Sequence, residues 1–144
     1  MPILAGGIVT AYTLDLIQPR PYYAAGSGTL NGPQTATDIT GASITLTTLT
    51  NDAVFTAVGT FDFDLTGATT GGASGRLVVD GVAEAELATF GAEVTTDRAS
   101  PGQTWHGTLP AAGSHTLKLG TTLPTNMSVQ GIYCTLLVTI YEVY

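Results

Sequence analysis

The chain has 144 residues, enough for one domain with a real core, and only 10% of them are charged, against about 25% in an ordinary soluble domain. Net charge is −7 with four basic residues in all and no basic cluster, which excludes a nucleic-acid footprint. A single cysteine excludes an internal disulfide and a cysteine-based zinc site, and no apolar run reaches the roughly 18 residues of a membrane helix.

With so few charges, the surface is covered mainly by Thr, Ser, Gly and Ala, and such a surface has weak protection against association. Burial of part of it in an oligomer is therefore expected. The start of the chain, "MPILAGGIVTAYTLDLIQP", lacks the basic segment and long apolar run of a signal peptide. Thr10 is placed to cap a short helix with Leu14 and Ile17 on one face, ended by Pro19 and Pro21. A helix that short needs something to pack on. Residues 1–40 are accordingly expected to form an attachment arm of short helix and loop. Tyr12, Leu14, Ile17, Tyr22 and Tyr23 are its candidate docking side chains, because aromatic residues are enriched at interfaces.

Residues 41–144 read as β structure. In "ASITLTTLT", Ile44 and Leu46 alternate with Thr45 and Thr47. "AVFTAVGTFDFDL" puts Phe55, Ala57, Phe61 and Phe63 on one face, and Val54, Thr56, Val58, Thr60, Asp62 and Asp64 on the other. "TGATTGGASG" is a loop by composition, and "RLVVDGVAEAEL" is two strands around an Asp80-Gly81 turn. "TTDRASPGQ" and "TTLPTNMS" are loops. "QTWHGTL" and "SHTLKLG" are expected to form a hairpin around "PAAG". "IYCTLLVTIYEVY" is expected to be the longest strand, with Ile132, Cys134, Leu136, Val138 and Ile140 on one face. Its other face carries Tyr133, Leu137 and Tyr141, which suits a subunit interface better than open water. Seven or eight strands at this spacing predict an all-β antiparallel sandwich.

Catalytic constellations are weak. Ser114 and His115 are neighbours in a strand and point to opposite faces, so they cannot form a nucleophile–base pair; His106 points away from Trp105. His115, on an apolar face, is expected to make a hydrogen bond at the end of the barrel or at a subunit contact. Asp62, Asp64, Glu84 and Glu86 are the carboxylates a carbohydrate-active enzyme would have to use, a remote alternative, since no cleft-forming pair is evident. Cys134 alternates with apolar residues as a buried thiol does. No catalytic, cofactor-binding or metal-ligating residue is assigned.

Two blocks carry a resemblance. "AGGIVTAYTLDLIQP" resembles the N-terminal segment of small minor tail proteins of tailed phages of actinobacteria, with a Gly-x-Val-Thr-Ala-x-x-Leu pattern, and departs from it at Tyr12 and Asp15. "LPAAGSHTLKLG" followed by "CTLLVTIYEV" is similar to the jelly-roll domain of the same proteins. That family is in turn similar to the trimeric jelly rolls of the complement and tumour-necrosis-factor superfamily. The resemblance implies a jelly roll of about eight strands that forms a homotrimer, with His115, Tyr133, Leu137 and Tyr141 as trimer-interface candidates. It implies a non-enzymatic virion protein, made in the host cytoplasm and carried on the particle surface, without cofactors or membrane insertion. The arm would bind other virion proteins. Loops 66–75, 94–102 and 120–130 would contact the host surface, with a glycan as the expected ligand. A capsid decoration protein stabilising the phage head is the alternative with the same layout.

Overall fold

The computed structural model describes residues 18–67 and 70–142. Tyr12, Leu14 and Ile17, and the short helix expected around them, lie outside the described residues. Among the described residues, thirteen strands follow in order: β1 (Arg20–Ala25), β2 (Thr29–Asn31), β3 (Gln34–Thr48), β4 (Ala53–Thr60), β5 (Phe63–Leu65), β6 (Gly71–Val79) and β7 (Val82–Ala83). Then come β8 (Ala88–Ala92), β9 (Arg98–Ala99), β10 (Gly102–Leu109), β11 (Gly113–Leu123), β12 (Met127–Gln130) and β13 (Thr135–Tyr141). The only helical element among the described residues is a 3-10 turn, Gly131–Tyr133.

All pairings among these strands are antiparallel. The first sheet has the order β1-β13-β4-β10, and the second β3-β11-β6-β7, with β8 also on β6; a small third sheet has the order β2-β12-β5-β9. The alternation read from the sequence decides which side chains fill the space between. Phe55, Ala57, Trp105, Leu109, Leu136, Val138 and Ile140 come from the first sheet, and Ile44, Leu46, Leu77, Leu117 and Leu119 from the second, all buried. The two sheets meet closely at Gly59, where a Cβ would lie 2.8 Å from the Trp105 ring and 2.9 Å from Leu119. Phe61 and Phe63 stack 5.7 Å apart, nearly parallel, and Phe63 stacks on Phe90 at 6.4 Å.

The Asp80-Gly81 turn forms as expected. Val79 faces Val82, and both turn residues have positive φ (49° and 85°), the geometry of a two-residue hairpin loop.

Four expectations are corrected. Residues 20–40, assigned to the arm, contain β1, β2 and the start of β3; Arg20 to Ala25 pair in register with β13. β10 and β11 are not a hairpin. β10 pairs β4 in the first sheet and β11 pairs β3 and β6 in the second, so the connection at residues 110–112 crosses between sheets. Pro110 has no N–H to give to a ladder, and Trp105 and Leu109 face Leu117 and Leu119 across the core rather than beside them.

The glycine-rich segment is a loop only in part, because Gly71 to Gly75 pair with β8. Likewise, 94–102 contains β9 and the start of β10, and 120–130 the end of β11 and all of β12. Finally, the last strand starts at Thr135, not at Ile132; β3, with 15 residues, is the longest. Ile132 sits exposed in the 3-10 turn, off the buried face on which the alternation had placed it.

Candidate functional site

The outward face of the first sheet is where apolar side chains and an absence of charge coincide. β1, β13, β4 and β10 run side by side, so residues far apart in sequence form straight rows across it. Tyr23 pairs with Leu137, Leu137 with Val58, and Val58 with Thr104. These three apolar side chains are 66%, 42% and 39% exposed. A parallel row joins Tyr141 and Val54 to Thr108, with both apolar residues exposed. Between the rows lie Thr139, Thr56 and His106. No carboxylate, lysine or arginine occupies an outward position of these four strands; Arg20, the one such residue in them, turns to the other side and pairs with Glu142. A contiguous exposed apolar patch on a protein surface marks an interaction site, and interface centres are depleted of charge and enriched in aromatics.

The sequence-selected residues divide between this face and other places. Leu137, Tyr141 and Tyr23 lie on it. Tyr22 points the other way and packs half-buried against the core. Tyr133 is exposed in the 3-10 turn, with the Arg98 guanidinium 5.2 Å from its ring centre. His115 is in the second sheet, buried, with Leu46 as its register partner. Its Nδ1 is 2.6 Å from Asp80 Oδ2 and its Nε2 is 2.8 Å from the Ala111 carbonyl oxygen. Ser114 is exposed and His115 buried, as alternation requires, so the dipeptide brings no nucleophile to a base. Val54 and Val58 complete the face; their side of the strand was readable, their neighbours were not.

Of the four candidate carboxylates, Asp62 is in structural use. Asp62 is buried, accepting from Arg98 Nε and Ser100 Oγ, each at 2.8 Å. The bond from Arg98 is the main reason its guanidinium pKa is raised. Asp64 lies opposite Arg98 on β9. The carbonyl of Glu86 accepts from Trp105 Nε1 at 2.9 Å, tying the segment after β7 to the first sheet. Among the described residues no cluster of three or more His, Cys, Asp or Glu side chains has the arrangement of a metal site.

One functional-looking residue had no signal in the sequence. Glu142 is buried, and its Oε1 accepts from Leu49 N (2.6 Å), Thr50 N (2.9 Å) and Thr50 Oγ1 (3.2 Å), while Oε2 pairs with Arg20. It joins the end of β13, the start of β1 and the turn after β3. Cys134 is buried, and desolvation pushes its thiol up to about 11.

No protein-family model and no curated protein matches the chain. Solved structures do. Eiger TNF from S. frugiperda aligns with a TM-score of 0.54 and 11% identity, over 85% of this chain and 92% of that one. The fold is shared. At that identity the likeness extends to the antiparallel, jelly-roll-like sandwich and no further. The globular domain of zebrafish complement 1qA protein aligns at 0.48 and 6% identity, over 86% and 97%. Dimeric latent PorU from Porphyromonas gingivalis aligns at 0.48 and 10% identity; 86% of this chain is covered, but only 13% of that one.

Proposed function

We propose that this chain is a non-enzymatic structural protein of a tailed-phage virion: a homotrimeric jelly roll on the particle surface, of minor tail or fibre type, serving attachment to the host surface. The observation that carries the self-association is the uncharged outer face of β1-β13-β4-β10, with Tyr23, Leu137 and Val58 in one row. The phage assignment rests on the two sequence blocks around Val9-Thr10-Ala11 and residues 109–120, and host attachment, through a surface glycan, is what that resemblance implies.

Sedimentation equilibrium at micromolar concentration tests the assembly. The expected result is a trimer, converted to a folded monomer by Leu137→Glu, which places three carboxylates in a dry apolar contact. A monomeric wild-type chain overturns it. Immunogold labelling of intact virions tests the rest: label at the tail supports attachment, label on the head supports capsid decoration instead, and no label overturns a virion role.

A further inference from the structure

His115 is bracketed by a carbonyl oxygen and a carboxylate oxygen, both acceptors while Asp80 is ionised. Its Nε2 faces the Ala111 carbonyl oxygen at 2.8 Å and its Nδ1 faces Asp80 Oδ2 at 2.6 Å. A neutral imidazole carries one N–H and leaves one of these contacts lone pair against lone pair; only the imidazolium donates to both. The alternative, a protonated Asp80 donating to a neutral ring, is disfavoured. Asp80 Oδ1 already accepts the Thr116 N–H at 2.8 Å, a bond that favours the carboxylate, and the side chain is 43% exposed.

The ring therefore joins two separate pieces of chain. Asp80 sits at the tip of the β6–β7 hairpin, in a positive-φ conformation. Ala111 lies in the crossing between β10 and β11, where its carbonyl also accepts from Thr48 Oγ1 at 3.2 Å and the next amide, Ala112 N, donates to Asn51 Oδ1 at 2.9 Å. We propose that His115, Asp80 and the Ala111 carbonyl form a proton-operated latch, closed when the ring carries both protons, that pins the β6–β7 hairpin and the sheet-crossing connection to one end of the sandwich.

The charges around the ring are few. On β3 its register partner is Leu46, and Thr48 shares the Ala111 carbonyl with it, neither ionisable; from the crossing it meets a carbonyl; Asp80 is the one group whose charge bears on it. Glu142, at the same end, is committed to Leu49, Thr50 and Arg20. Burial opposes the imidazolium, but the Asp80 hydrogen bond, the Ala111 carbonyl and the Asp80 charge outweigh it, and the histidine pKa is raised. Burial likewise opposes the Asp80 carboxylate, and the His115 and Thr116 hydrogen bonds outweigh that, so its pKa is lowered. A raised histidine contributes stability that is complete below about 6.5, its unfolded value, and is lost as pH rises through the folded value. A lowered aspartate contributes above about 3.9 and loses it as pH falls through the folded value. The latch is closed between those two folded values.

Long-range proton–nitrogen NMR of the imidazole rings reads this directly, with His115→Gln identifying the signals. The expected result is a His115 ring with both nitrogens protonated at pH 6.5, titrating above the ordinary range near 6.5. Amide protection at Asp80 and Thr116 is expected to fall in the same step, beyond the ordinary base-catalysed trend. Asp80→Asn supplies the control that still folds, because Asn suits the positive φ and Asn-Gly is a favoured hairpin turn. The amide introduced by Asp80→Asn donates to a neutral Nδ1 while Nε2–H keeps the Ala111 bond, so the protection step disappears. A His115 ring with a single N–H at pH 6.5, or an unchanged step in Asp80→Asn, overturns the proposal.

Discussion

Gly75→Ala puts one methyl group where the core has no room for it. Gly75 lies in β6, opposite Ala88 of β8, and a Cβ there would sit 2.3, 2.4 and 2.5 Å from Cε1, Cζ and Cδ1 of Phe61. Carbon atoms are comfortable at about 3.5–4.0 Å, so the overlap exceeds ~1 Å. Phe61 cannot easily give way, because it is fully buried and stacked on Phe63, which is itself stacked on Phe90. Overpacking a closed core costs about 1–3 kcal/mol, and an unyielding ring belongs at the upper end. At ~2–4 °C per kcal/mol for a chain of this size, that is a fall in Tm of about 10 °C. Gly91→Ala, in the adjoining strand with nothing within 4 Å of the new Cβ, is the control and should stay within about 0.5 kcal/mol of wild type. Thermal unfolding followed by circular dichroism at one fixed protein concentration compares the two, since self-association would make Tm concentration-dependent. In the Gly75→Ala background, Phe61→Leu should cost less than alone, with about 1 kcal/mol or more of favourable coupling. If Gly75→Ala melts with Gly91→Ala, the reason given for glycine in this strand is wrong.

Glu142→Ala removes the acceptor shared by two backbone amides, the Thr50 hydroxyl and Arg20. Orphaning these part-buried donors together with the Arg20 guanidinium should cost about 3 kcal/mol, read as a lower urea midpoint at unchanged slope. Glu142→Gln, which keeps an acceptor, should fall between that variant and wild type. Cys134 should ignore a thiol reagent at pH 8 in the native protein, since burial both shields it and pushes its pKa to about 11, and should react once unfolded; equal rates in the two states would contradict its burial.

Alternation made much of the sandwich legible, because a strand shows its two faces at a fixed period. Trp105 and His106, Ser114 and His115, and Phe55 and Val54 fall on the sides their sequence positions imply. Composition misled where a glycine reports on its neighbour rather than on its own segment. Gly71 to Gly75 look like a loop, but the space above Gly75 is filled by the Phe61 ring, which a larger residue would displace. The polar contacts at the end of the sandwich were illegible for a different reason. Arg20 and Glu142 lie near opposite ends of the described chain, and Asp80 and His115 belong to elements far apart in sequence, so no local spacing announces either pair.

The candidate face falls between these cases, and the misread hairpin shows why. Period-2 reading sorts Leu137 and Tyr141 to one side of β13, and Val54 and Val58 to one side of β4, without saying that the strands adjoin. Had β10 and β11 paired as their short connection suggests, Trp105 and Leu109 would have shared a sheet with Leu117 and Leu119. Instead the connection crosses, which puts β4 rather than β11 beside β10 and β13 on the far side of β4. The β1-β13-β4 order brings Tyr23, Leu137 and Val58 into one row, and the crossing keeps Lys118 and Asp38, a 2.5 Å pair, on the opposite sheet. The segregation of charge is thus a property of strand order, and a chain with the same alternation and a β10–β11 hairpin would scatter it.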